Sequence, residues 1–213
     1  MTVAKNTEIG EDEIQKYIFL IEQCNNTDEK TRSEASNEIE QLISIDIIRS
    51  LFILSEIILK DHIESPIACL SLVWIRNIFT PESRIMANND ISKEWLEVDE
   101  TYRTRVKTAI IRGLMFPDHN CALVASMTFC SLLKIEKMEM FNIIPQLYQL
   151  YESTDSSELT KAASINTLAE ISSKNSLGSQ TDIIEVQTIL IQIAEKINSY
   201  FSECFDKSLS IRY

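Results

Sequence analysis

The scarcity of residues that turn a chain constrains this sequence most. It holds three glycines and four prolines in 213 residues, roughly 3% where about 12% is usual. Sheets of short strands need frequent tight turns, and glycine, proline and asparagine build them. A chain this poor in glycine and proline cannot turn often, which excludes an all-β fold. Phosphate-cradling loops, which are rich in glycine, are equally ruled out. The apolar share of 45% and charged share of 24% are those of an ordinary folded protein. The length suits a single core or a short stack of repeats.

Apolar residues recur at three- and four-residue spacing through most of the chain, as amphipathic helices require. The stripe Val186, Ile189, Leu190, Ile193, Ile197, Tyr200, Phe201 and Cys204 holds one face for about five turns. Punctuation divides the sequence into nine predicted helices, at about 11–24, 29–44, 46–60, 66–79, 100–115, 119–134, 138–153, 158–173 and 182–205. Asp28, Asp46 and Asp99 stand where helices start, and acidic N-caps bond unpaired backbone N–H groups. Ser65-Pro66 reads as an N-cap followed by proline at the first helical position. Thr80-Pro81 stops that helix, and 81–98 reads as a polar, loop-like insert that holds Trp95. Pro145 falls inside a predicted helix and predicts a kink between Phe141 and Pro145.

Taken in pairs, these helices make four hairpins and a fifth first helix. The second members begin near 29, 66, 119 and 158. With the polar insert set aside, the spacing falls near the period of about 40–47 residues of HEAT or armadillo repeats. One hairpin is too thin to bury its own stripe, so neighbours stack into a curved solenoid. The expected fold is therefore an all-α superhelix.

The formal charge is −12, from 20 basic and 32 acidic residues. Nucleic-acid affinity rests on Lys and Arg displacing counterions, so DNA, RNA and anionic membranes are poor partners for this chain. Basic protein surfaces are better ones, although net charge also serves simply to keep a protein soluble. The five cysteines form no Cys-x-x-Cys pair and read as small core side chains in a reducing compartment. The acidic N-terminus does not resemble a signal peptide. The most apolar stretch, 45–59, carries Asp46, Arg49 and Glu56 and is too short and polar to span a bilayer.

Three segments, in order, resemble the N-terminal HEAT repeats of the importin-β family of nuclear transport receptors. The first is Ile75-Arg76-Asn77-Ile78-Phe79-Thr80. The second is Trp95-Leu96-Glu97-Val98-Asp99 followed by Arg103, Arg105, Val106 and Lys107. The third is Ile143-Ile144-Pro145-Gln146-Leu147 with Ser164 through Ile171. The resemblance covers roughly residues 10–200 and rests on order and spacing. It implies one N-terminal HEAT-repeat unit over 1–213, a fragment or shortened form of a longer receptor, working in the cytoplasm and nucleus and at the pore. It also implies a concave face of early second helices that binds Ran-GTP, and slots between later first helices for Phe-Gly nucleoporins. Importin-α or cargo would be held by later repeats that lie beyond this chain. No cofactor is implied.

On that resemblance the second helices present Arg32, Glu38, Arg76, Asn77, Asn120, Lys161 and Asn166 as a row of partner contacts. Val186 and Leu190 stand at the first Phe-Gly slot. Each residue also has an ordinary role. Asn77 fits a C-cap, Arg76 favours the dipole at a helix end, the polar residues fit a solvated surface, and Val186 and Leu190 fit a core stripe. Trp95 reads as an anchor that packs down, and Trp74 as core. His62 and His119 are the only histidines. His119 and Cys121 lie on one helix with side chains turned apart, which opposes a nucleophile–base pair. No zinc-ligand spacing is present. The chain is therefore expected to be a binding protein and not an enzyme. A cytosolic HEAT or armadillo scaffold with unrelated partners is the alternative.

Overall fold

The computed structural model describes residues 9–80, 91–136 and 144–173, with Ile184, Gln187, Thr188, Ile191, Gln192 and Glu195 beyond them. The described chain is helical and contains no strand. In order, the helices are α1 (Glu11–Cys24), α2 (Glu29–Ile45), α3 (Ile47–Leu59), α4 (Ser65–Phe79), α5 (Ile91–Glu97), α6 (Glu100–Leu114), α7 (His119–Glu136), α8 (Ile144–Glu152) and α9 (Glu158–Ser173).

Acidic and hydroxyl caps set most of the starts. Asp28 accepts from the Thr31 N–H at 2.9 Å, Asp46 from Arg49 at 3.0 Å, and Asp99 from Thr101 at 2.9 Å. Asp118 accepts from Cys121 at 2.8 Å and Ser157 from Thr160 at 3.1 Å. Each supplies an acceptor to an N–H that the helix itself leaves unpaired. The start of α4 differs from expectation. Its N-cap is Glu64, which makes no side-chain cap bond, so Ser65 is already helical and Pro66 follows it. Proline is tolerated anywhere in that first turn, because its missing N–H has no partner there, and the dipeptide alone does not fix the boundary to one residue.

Hairpins form from α1 with α2, α3 with α4, α6 with α7, and α8 with α9. Successive hairpins then stack: α1 packs on α3 and α3 on α6, while α4 packs on α7 and α7 on α9. Cross-links fix the register of the second helices. Thr80 Oγ1 lies 3.5 Å from Ser131 Oγ, and the Arg76 guanidinium reaches Met127, both pairs 51 residues apart. Equal offsets at successive turns mean that α4 and α7 run parallel. Thr167 bonds Ser126 at 2.9 Å and continues the ladder to α9. This is the HEAT-type solenoid expected of stacked pairs.

The core runs along the seam between the two layers. Helix α3 is apolar on most of its circumference and sits at the centre, with Leu51, Leu54, Ile57 and Ile58 fully covered. Buried hydroxyls are satisfied within their own helices: Ser55 donates to Leu51 O, Ser71 to Ile67 O and Ser164 to Thr160 O. Gly113 marks the closest approach. A Cβ there would lie 2.7 Å from Leu72 Cδ1 on α4 and 2.9 Å from Ala125 Cβ on α7. Trp74 is core, as expected.

The polar insert is not wholly a loop. Residues 91–97 form α5, held by Ile91 and Trp95 four residues apart and both buried. A seven-residue helix has too little length to stand on its own propensity, so periodicity could not reveal what tertiary contact makes. Residues 81–90 lie outside the described residues. So do 137–143, where part of the expected kink falls; as described, α8 carries Pro145 in its first turn. The ninth predicted helix is represented only by the six residues named above.

Candidate protein-interaction face

The row expected from sequence divides in two. On α2, Arg32 donates from Nη1 to the carbonyls of Asn26 and Thr27, both at 2.8 Å, and so ties down the α1–α2 turn. Glu38 pairs with Lys16 on α1 at 2.8 Å, with both side chains about half exposed. Both hold the first hairpin together. Arg76, Asn77, Asn120, Lys161 and Asn166 stand on the ladder α4–α7–α9, Asn120 and Asn166 exposed and the others half-buried. Lys161 also pairs with Glu158 one turn earlier at 3.0 Å.

The end of α4 is closed differently from expectation. Thr80 is the C-cap: its hydroxyl donates to Arg76 O at 2.7 Å and its N–H to Asn77 O. Thr80 therefore serves the final carbonyls where Asn77 was expected to cap. Arg76, the basic residue of that last turn, favourably meets the helix dipole. Its Nη1 lies 3.7 Å from Met127 Sδ on α7.

Sequence reasoning missed Leu123 and Met127. They sit one turn apart on α7, 46% and 45% exposed, on the side that faces Arg76. A signal was present. Helix α7 is apolar on nearly every side, from Cys121 through Leu133, which is more than one buried stripe can absorb. Asn120 is seven residues before Met127, roughly 10 Å along the axis, so polar and apolar groups alternate down one surface.

A second feature was missed where the ends of α5 and α7 meet the first half of α6. Glu136 has a fully buried carboxylate. Its Oε1 accepts from Trp95 Nε1 at 2.7 Å, its Oε2 lies 2.6 Å from Lys107 Nζ, and Arg103 Nη1 stands 3.7 Å away. The Trp95 ring meets Phe79 of α4 edge-on at 5.1 Å. Trp95 thus packs down as an anchor, as expected, and three residues of the second resemblance segment, Trp95, Arg103 and Lys107, share a physical role. They join α5 and α6 to the buried end of α7. The spacing of Arg103 and Lys107 beside Val106 and Ile110 places two cations near a core stripe, and that pattern is legible in the sequence.

On the first-helix side, a cavity of about 270 Å³ lies between α1, α3 and α6, walled by Ile14, Phe52 and Tyr102. Glu56 and Arg105 pair beside it. Ser55, which also lines it, donates to the Leu51 carbonyl. Burial pushes the Cys121 thiol up to about 12, which keeps it protonated and unreactive. Cys121 and Cys130 are buried small side chains, as expected; Cys24 and Cys69 are half-buried. His62 takes left-handed backbone, φ 62°, at the turn after α3. Among the described residues, no cluster of His, Cys, Asp and Glu could hold a metal, and no helix is long and apolar enough to cross a membrane. Val186 and Leu190 lie outside the described residues.

No family model matches the chain, and no curated protein matches it. A solved structure does. It is described as showing that Kap95p binding induces the switch loops of RanGDP to adopt the GTP-bound conformation, with implications for nuclear import complex assembly. The superposition has a TM-score of 0.65 at 14% identity and covers 81% of this chain. The chain spans 21% of that protein's length. The likeness is one of fold: an importin-β-like HEAT solenoid.

Proposed function

We propose that this chain is a segment of a nuclear transport receptor that binds a Ran-type GTPase on the face presented by α4, α7 and α9. One observation carries the reading. Four-fifths of the chain superposes on a HEAT solenoid solved with Ran, and the ladder helices turn Arg76, Asn120 and Asn166 toward solvent or leave them half-exposed. The GTPase docks by surface complementarity and no bond is made or broken, so the chain acts by binding and not as an enzyme. Its place is the route of protein import between cytoplasm and nucleus, where the chain also contributes to binding Phe-Gly nucleoporins.

A pull-down with purified Ran tests this. The GTP-loaded form is expected to be retained more strongly than the GDP-loaded form. Failure to retain either nucleotide state overturns the reading. A second reading, a scaffold of the same fold for other proteins, is favoured by a different observation. Arg32, Glu38 and Lys161 engage groups within the chain, which leaves fewer of the expected contacts for the GTPase.

A further inference from the structure

We infer that Leu123, Met127 and Arg76 form the anchor of the second-helix face, a site for an aliphatic side chain with a carboxylate beside it on the surface of the partner protein. The inference rests on the GTPase-binding reading and specifies how that face grips.

Single exposed apolar residues are normal on a folded protein and carry no message. Among the described residues, Phe19, Ile45, Leu96 and Met115 stand singly on or beside four different helices, and Ile184 and Ile191 are seven residues apart. Leu123 and Met127 are different, being one turn apart on one face of α7, and each is nearly half exposed. Leaving two adjacent large apolar groups in water costs free energy that a partner recovers by covering them.

Arg76 supplies the charge. Among the described residues, Arg49, Arg103, Arg105 and Arg112 each have a carboxylate within 4 Å, and Arg32 donates to two carbonyls. Arg76 is in no ion pair there; its guanidinium rests on the Met127 thioether, a weak acceptor. In a chain of net charge −12, a cation without a carboxylate beside two exposed apolar groups is complementary to an acidic group carried by something else. Methionine and arginine are enriched at protein interfaces for these reasons, one adaptable in shape and the other a fork of donors. Covering Leu123 and Met127 would also remove water from the guanidinium and strengthen its bond to a carboxylate.

The test is a calorimetric titration of GTP-loaded Ran into the chain and its variants. Met127→Asp and Arg76→Glu are each expected to weaken binding about tenfold or more, whereas Arg76→Lys retains most of it. Phe19→Asp, on α1, is expected to bind as the unsubstituted chain does. Leu123→Ser provides a milder probe should Met127→Asp lower the melting temperature, and is expected to weaken binding in the same direction. Unchanged affinity in Met127→Asp, Leu123→Ser and Arg76→Glu, while the unsubstituted chain binds, overturns the anchor and leaves the GTPase reading standing. No binding by the unsubstituted chain overturns both. Concentration-dependent self-association that disappears in Met127→Asp would identify the occupant as a second copy of the chain and also overturn the assignment.

Discussion

Two junctions in this solenoid use carboxylates to tie helices that are distant in sequence, and they differ in how much water reaches them. At the first, Glu13 on α1 pairs with Arg49 on α3 at 2.6 Å, and Glu11 pairs with Lys60 at 2.7 Å. These side chains are about one-third or more exposed. At the second, Glu136 has no exposed side-chain surface, and Lys107 and Arg103 keep about a tenth of theirs. The distances are alike and the consequences are not. Water screens the first pair whether or not it forms, so its loss changes little. At the second, both partners have already been taken out of water, and removing one leaves the other in an interior that does not solvate it. The first junction ties the first hairpin to the second, whereas the closure of α6 on α7 within the third hairpin, and the seating of α5 against it, depend on Glu136.

Glu136→Ala is the harshest way to break that contrast. It strips the acceptor from Trp95 and the counter-charge from Lys107 and Arg103. A loss of about 3–5 kcal/mol in urea unfolding is expected, together with a red shift of Trp95 fluorescence. A loss below about 1 kcal/mol would show that the buried junction behaves like a surface pair.

Gly113→Ala probes the same seam without touching charge. The added methyl gains helix propensity of about 1 kcal/mol. It also meets Leu72, which can shift, and Ala125, which has no torsion to move. Overpacking of this kind costs about 1–3 kcal/mol, so a net destabilisation is expected, read as a lower melting temperature. A stabilised variant would mean that α6 and α7 part more easily than their spacing implies.

Arg49→Ala, at the exposed junction, is expected to cost under about 1 kcal/mol and to lose even that in high salt. The same junction sets the smallest effect, one of pH. Hydrogen bonds from Arg49 hold the Glu13 carboxyl below its ordinary value of 4.5, and those from Lys60 and Gln15 do the same for Glu11. A carboxyl with a depressed folded pKa stabilises the fold above its unfolded value. That contribution fades as pH falls from about 4.5 through the depressed folded value. Thermal melts at descending pH should therefore show a shallow loss below about 4.5 that Glu13→Gln reduces. A loss that set in near neutrality would point to a different group.

Much of the fold is legible in the amino-acid sequence. Asp28, Asp46 and Asp99 announce helix starts because capping is a contact of three residues or fewer. Helix order and pairing follow from punctuation and period for the same local reason. The start of α4 moves by one residue because Ser65-Pro66 fits either of two adjacent registers. Helix α5 is invisible to periodicity, since Ile91 and Trp95 specify a helix only once Phe79 and Glu136 stand opposite Trp95. The candidate row is legible as residue types on second helices. Its division, with Arg32 and Glu38 serving the first hairpin, depends on where Lys16 and the 26–27 carbonyls come to lie.

By itself, the sequence settled that the chain is helical, where most helices begin and that they pair, because those properties depend on neighbours a few residues away. Only the tertiary structure decided which polar groups are buried and which apolar ones stay wet. Glu136 looks like any surface carboxylate and is enclosed, while Leu123 and Met127 look like core and face solvent. Burial is a property of what packs across a helix, and those packing partners come from distant parts of the chain: Lys107 and Trp95 to Glu136, and Arg76 to Met127.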